Sequence, residues 1–249
     1  MYKYGGNLKQ KLQLASGFPL RNGYNQEDTK VVVSAYVQNC PNSAFLDTAE
    51  IYRNGDDEHL IDLLLSAAES QKIITGDMVV SMENMAGLAD IVSSAKILQK
   101  DENFPFSRLV IPVTISPYGP EQTRKEAHGV AVCIDYDKGK KCTDIVILEQ
   151  HARKDGTKLD FSSEVACLHD YLKGEYEQEG EALRTFCNGE PICREERVCG
   201  IVSLEMCKRL LEADNPYEFV QNPQNIRLDL EDVKNLHAQN IEIANPEIR

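Results

Sequence analysis

Residues 128–149 read HGVAVCIDYDKGKKCTDIVILE, and the fold turns on them. Two alternating, β-branched runs flank a polar Lys/Gly segment, the pattern of an antiparallel hairpin. With Lys138 and Gly139 as the two central turn residues, Asp137 faces Lys140 and His128 falls opposite Glu149. Directly opposed residues share a face, with Cβ atoms about 4.5–5.5 Å apart. The same face carries Val130, Val132, Ile134 and Tyr136 on one strand and Thr143, Ile145 and Ile147 on the other. The hairpin is therefore expected to have an apolar face that ends in an imidazole and a carboxylate. A carboxylate beside imidazole fixes its tautomer and stabilises its charged form. The bland alternative is an incidental cross-strand pair at a sheet rim. A one-residue slip would separate the two side chains onto opposite faces.

Working outward, residues 108–115 (RLVIPVTI) form a further strand, in which Pro112 marks a bulge or an edge. Residues 29–39 fit strand or helix, while 56–71 and 78–100 read as helical, separated by a break at Gly76-Asp77. Residues 159–175 read as partly helical, and 176–198 as irregular with one strand. Residues 200–213 form an amphipathic helix stopped at Asp214-Asn215-Pro216, and 229–239 one more helix. The expected class is α+β, a small, mostly antiparallel sheet flanked by helices. An N-terminal arm spans 1–28. A single catalytic-type domain spans 29–249, helical over 29–103, with the sheet and active-site core over 106–213 and a helical segment over 214–249.

Cys199 directly precedes the helix over 200–213. A helix N-terminus offers unpaired N–H groups and the positive end of a dipole, and both favour thiolate, the reactive form. Gly200 permits close approach of a substrate or a strand. A buried cysteine that only packs at a helix start is the structural alternative. Taken together, His128, Glu149 and Cys199 supply base, orienter and nucleophile for thiol catalysis.

These same residues carry a resemblance. Cys199-Gly200-Ile201-Val202-Ser203-Leu204, followed by Lys208 and Leu210, resembles the nucleophile segment of the YopJ family of bacterial effectors. His128 with Cys133-Ile134-Asp135-Tyr136 resembles that family's histidine strand, and Ile147-Leu148-Glu149 the strand that ends in its acid. The resemblance covers residues 108–212 and implies the papain-related core of the ubiquitin-like-protease clan. It implies His128, Glu149 and Cys199 as the catalytic triad and acetyl-coenzyme A as co-substrate. An acetyl thioester on Cys199 would pass to Ser, Thr or Lys of host signalling proteins. It further implies inositol hexakisphosphate, which demands a cluster of Lys and Arg. Lys208, Arg209, Arg227 and Lys234 are the contributors the C-terminal part offers. Two departures stand out. The clan's glutamine, five or six residues before the nucleophile, is replaced by Arg194 and Cys193: either the Cys199 and Gly200 backbone amides and another donor such as the Arg194 side chain form the oxyanion hole, or activity is weak or absent. Gly129 stands where an aromatic residue commonly follows the histidine. A cysteine isopeptidase acting on ubiquitin or a related modifier is the alternative, with the same three residues, and a non-catalytic binding module is a second.

Composition narrows the partners. The 249 residues include 40 acidic and 27 basic side chains, for a net charge of −13. Such a balance opposes nucleic acid and anionic membranes as partners. No stretch approaches the ~20 apolar residues of a membrane helix. The first twenty residues lack the apolar run of a secretory signal. Eight cysteines without a CxxC pair are expected to be reduced thiols rather than disulfides or a metal site. By resemblance, the expected course is synthesis in a bacterial cytosol and secretion into a host cell's cytoplasm. His59, His151, His169 and His237 are read as surface or core residues, and Asp135 and Asp144 as acids on the face away from His128.

Overall fold

A computed structural model describes residues 32–33, 35–36, 43–46, 73–76, 78–80, 86–101, 107–115, 128–151, 162–195 and 198–244. Its centre is one sheet of seven strands: β1 (Ser43–Leu46), β2 (Ile73–Gly76), β3 (Met78–Val80), β4 (Arg108–Ile115), β5 (His128–Asp137), β6 (Cys142–Glu149) and β7 (Ala182–Cys187). The spatial order is β1-β2-β4-β5-β6-β7, with β3 also paired to β4. Five described helices accompany it: α1 (Ala86–Lys100), α2 (Ser162–Tyr176), α3 (Cys199–Glu212), α4 (Pro216–Val220) and α5 (Leu230–Ala244). The chain is thus α+β, a sheet flanked by helices.

The hairpin forms, but its register differs by two residues from the two-residue-turn reading. Asp137 pairs with Cys142, so four residues, 138–141, make the loop. Asp137 Oδ1 accepts the Lys140 N–H at 3.0 Å, and Lys141 adopts φ 50°. This side-chain-capped loop replaces the tight turn. Glu149 now lies opposite Val130, and His128 opposite Ile115 of β4. Side chains alternate with a period of two, so a two-residue shift leaves every face unchanged. His128 and Glu149 therefore meet as diagonal neighbours rather than as a direct pair.

Both faces of the hairpin are covered. Val130, Val132, Ile134, Ile145 and Ile147 pack against Val92, Ala95 and Leu98 of α1 and Val165, Leu168 and Leu172 of α2. Ala131, Cys133, Val146 and Leu148 pack on the other side against Ile201, Val202, Met206 and Leu210 of α3. Every residue of β6 is consequently buried. Polar side chains pin the layers together. Gln99 Nε2 donates to the carbonyls of Ser107 (3.0 Å) and Ile134 (3.2 Å), and its Oε1 accepts the Tyr176 hydroxyl at 2.9 Å. Arg184 forms a two-pronged pair with Asp144, both N···O distances 2.7 Å, and lies over the Tyr217 ring.

Two expectations need correction. The sheet is mixed rather than mostly antiparallel: β1, β2 and β3 join in parallel on one side of the central hairpin, and β7 in parallel on the other. Residues 29–103 are not simply helical either, since β1, β2 and β3 fall within them and α1 begins only at Ala86. A run of three or four apolar residues carries no readable period, and only pairing with β4 makes it strand. Val32, Val33, Ala35 and Tyr36 are helical, which settles the open choice there. The helix expected at 56–71 and the arm at 1–28 lie outside the described residues. Asn215-Pro216 stops α3 and also starts α4: the Asn215 side chain accepts the Glu218 N–H, and Pro216 occupies the first turn.

Candidate active site

The ends of three elements meet at one rim of the sheet. His128 opens β5, Glu149 closes β6 and Cys199 opens α3. His128 Nε2 lies 2.7 Å from Glu149 Oε2, with both side chains almost wholly buried. The His128 ring is also hydrogen-bonded to Cys199. Glu149 engages Nε2, which leaves Nδ1 for the thiol. The imidazole thus bridges a carboxylate and a sulfur, the order in which an orienter, a base and a nucleophile work.

Burial alone would push His128 down, but its hydrogen bonds to Cys199 and Glu149 outweigh that and raise it from 6.5 to about 9. Burial alone would push the Cys199 thiol up. The hydrogen bond and charge of His128, with the backbone amides of Gly129 and Gly200, reverse that and bring it below its ordinary 9.0. Both shifts favour one arrangement at neutral pH, an imidazolium beside a thiolate. The start of α3 contributes directly: its N-cap is Val198, which makes no side-chain cap, and the Gly200 amide in its first turn bonds the sulfur. His128→Ala is expected to send the thiol back up. Alkylation of Cys199 by iodoacetamide at pH 7, read on the peptide that contains it, should slow at least ~10-fold.

Glu149 is itself held. Asn188, just beyond β7, accepts the Glu149 N–H through Oδ1 (2.9 Å) and donates through Nδ2 to the Glu149 carbonyl (2.8 Å) and the Glu190 carbonyl (2.9 Å). Gln150 then anchors the approach to α3. Its carbonyl accepts the Ile192 and Cys193 N–H groups, and its side-chain amide donates to the Glu195 carbonyl. Beyond it, the buried His151 ring stacks against His128, with centroids 6.2 Å apart and planes at 16°. Glu149→Gln keeps an acceptor for Nε2 but loses the charge that holds the imidazolium. Its expected effect on turnover is smaller than the ~10²–10⁴-fold that a general base supplies.

The structure brings together His128, Glu149, Cys199 and the Gly200 amide. It does not bring Arg194 to them: that side chain is exposed and lines a cleft of about 430 Å³ with Arg227, Asp229 and Leu230. The loop is tied inward through Ile192, Cys193 and Glu195, and Arg194 is the residue turned out. Sequence reasoning missed Asn188, Gln150 and His151. For His151 a signal existed: it lies two residues past Glu149 and continues the alternation of β6. Asn188 and Gln150 had none, because their role is set by the crossing of separate loops. His237 is buried, His169 pairs with Asp170, and His59 lies outside the described residues.

Each of the cations suggested for inositol hexakisphosphate is engaged by another group of the chain. Arg209 pairs with Glu205 and bonds the Asn225 carbonyl, Arg227 pairs with Glu190, Lys234 pairs with Glu231, and Lys208 lies over the Tyr36 ring. With carboxylates and a ring already holding them, these residues do not fit a polyphosphate.

No protein-family model matches the sequence, and no curated protein matches it. Solved structures do. The effector protein RavZ of Legionella pneumophila matches in one crystal form with a TM-score of 0.52 at 13% identity, covering 92% of this chain and 64% of RavZ. A second RavZ structure matches with a TM-score of 0.50 at 11% identity, covering 92% and 66%. AvrA, solved with IP6 and CoA, gives 0.42 at 15% identity over 98% of this chain and 82% of AvrA. The chain spans no more than about two thirds of the RavZ structures. At these identities the likeness lies in the fold: an α+β, papain-related core that this chain shares with RavZ.

Proposed function

We propose that this chain is a cysteine-dependent acyl-transfer enzyme of an effector protein that acts on host proteins, and that His128, Glu149 and Cys199 are its triad. The observation that carries the reading is the buried chain Glu149–His128–Cys199, in which the carboxylate is 2.7 Å from one imidazole nitrogen and the thiol bonds the ring. The Cys199 thiolate attacks the carbonyl carbon of an acyl donor, and the Gly200 amide, released from the sulfur as its charge is lost, donates to the developing oxyanion. His128 gives its proton to the leaving group as the bond to that group breaks, which leaves an acyl thioester. Neutral His128 then takes a proton from the acceptor as it attacks the thioester, and the thiolate leaves with the imidazolium restored. Glu149 stabilises the imidazolium in both halves.

Resemblance of the Cys-Gly-Ile-x-Ser-Leu segment to the YopJ family supports acetyl-coenzyme A as the donor and a Ser, Thr or Lys side chain as the acceptor. A second reading is favoured by two observations, the net charge of −13 and the fold shared with the effector protein RavZ. In it the acyl donor is the C-terminal carbonyl of a ubiquitin-like modifier and the acceptor is water. The acidic chain suits a basic partner surface. Incubation with radiolabelled acetyl-coenzyme A, and separately with a ubiquitin-like modifier carrying a C-terminal electrophile, decides between them. Label on Cys199 from the first supports acetyl transfer, and an adduct only from the second supports isopeptidase action. No adduct from either, with Cys199 unreactive to iodoacetamide at pH 6–7, would overturn both.

A further inference from the structure

We infer that Gly129 is a positioning residue: having no side chain, it lets the first turn of α3 lie directly on β5 and brings its own amide to the Cys199 sulfur. The inference rests on the reading of Cys199 as a nucleophile. Gly129 follows His128 on β5, and alternation turns its Cβ position to the opposite face, the one α3 covers. A Cβ placed there would sit 3.0 Å from the Cys199 carbonyl oxygen, 3.2 Å from its carbonyl carbon and 3.0 Å from Ser203 Oγ. These distances are tighter than nine in ten real Cβ contacts, so a neighbour must give way by a few tenths of an ångström. Ser203 Oγ could rotate away from its bond to the Gly200 carbonyl, 3.1 Å long. The Cys199 carbonyl is helix backbone and cannot.

Any side chain at position 129 therefore pushes the start of α3 off the sheet by a few tenths of an ångström. The thiol rides on that same turn. The displacement lengthens two bonds at once, from the sulfur to His128 and from the Gly129 amide to the sulfur. Both hold the thiolate, and hydrogen bonds weaken steeply as their geometry degrades. The glycine that departs from the sequence pattern is thus part of the thiol's seat. It is enforced by contact with the nucleophile's own backbone.

The test is the pH profile of iodoacetamide alkylation of Cys199, read by mass spectrometry on the peptide that contains it. It requires no knowledge of the acyl donor. In the parent protein the thiol should react at lower pH than an ordinary thiol. In Gly129→Ala the rate at pH 6 should fall at least tenfold, while the rates at pH 10, where any thiol is ionised, should agree within a factor of two. Gly174→Ala is the control, because a Cβ there meets nothing within 4 Å, and it should keep the parent profile. Superimposable profiles for Gly129→Ala and the parent would overturn the inference and leave the proposed function standing. A parent thiol that ionises no lower than an ordinary thiol would instead remove the function on which the inference rests. Should Gly129→Ala not fold, by circular dichroism, Ser203→Val adds bulk at the same contact and carries the same expected loss and the same overturning result.

Discussion

Cys199→Ala will abolish the covalent adduct formed with either acyl donor and reduce turnover by at least ~10⁴-fold, the scale on which loss of a triad nucleophile acts. The reason is local. The described structure places a single thiol in hydrogen-bond contact with His128, and its depressed pKa depends on that contact. Cys167 and Cys187 are exposed, and burial raises Cys133, Cys142 and Cys193, so none of these has the environment of a nucleophile. Intact-mass measurement after incubation with donor, on the parent and on the variant, checks the adduct. Retention of the adduct in Cys199→Ala would show that the acyl group sits elsewhere and would remove the triad reading. Circular dichroism should be unchanged, because alanine is tolerated at the first position of a helix.

Arg108→Met is the second large effect, and it acts on stability. Arg108 is nearly buried, yet its guanidinium reaches the far end of α3. Nη1 donates to the carbonyls of Leu210 (3.2 Å), Leu211 (3.3 Å) and Ala213 (2.7 Å), and Nη2 to the Asp214 carbonyl (3.2 Å) and Asp135 Oδ2 (3.1 Å). Leu210 and Leu211 carry carbonyls that a helix C-terminus leaves without partners, Ala213 and Asp214 follow directly, and the cation also opposes the negative end of the helix dipole. Burial already pushes Asp135 above its ordinary value, with Arg108 pulling it back. Removing Arg108 strands the carboxylate and the carbonyls together, for an expected loss of about 3–5 kcal/mol in denaturant unfolding. A loss below about 1 kcal/mol would mean that water takes over those carbonyls. Because α3 carries Cys199 at its other end, the variant should also lose thiol reactivity at pH 6 before it unfolds. The nucleophile helix is held at its start by contact with Gly129 and at its finish by Arg108.

Much of the site was legible in the amino-acid order because it rests on short-range rules. Alternation along β5 and β6 puts His128 and Glu149 on one face under any even register, so an error of two in the turn did not separate them. Cys199 stands at the first position of an amphipathic helix, and the dipole and free amides of a helix start follow from local geometry alone. Other features depended on which surfaces meet, which no local pattern encodes. The four-residue loop was decided by the Asp137 side chain capping it and by the register of β4. The parallel strands β1, β2 and β3 were decided by pairing across long separations. Arg108 at the C-terminus of α3 and Asn188 on the backbone of Glu149 each join parts of the chain brought together only by packing. The identity and facing of the three reactive groups follow from amino-acid order, because periodicity is a property of the single strand or helix. Tertiary structure alone decided that the thiol meets the imidazole, because that distance is set by how closely α3 can lie on β5, and Gly129 allows it.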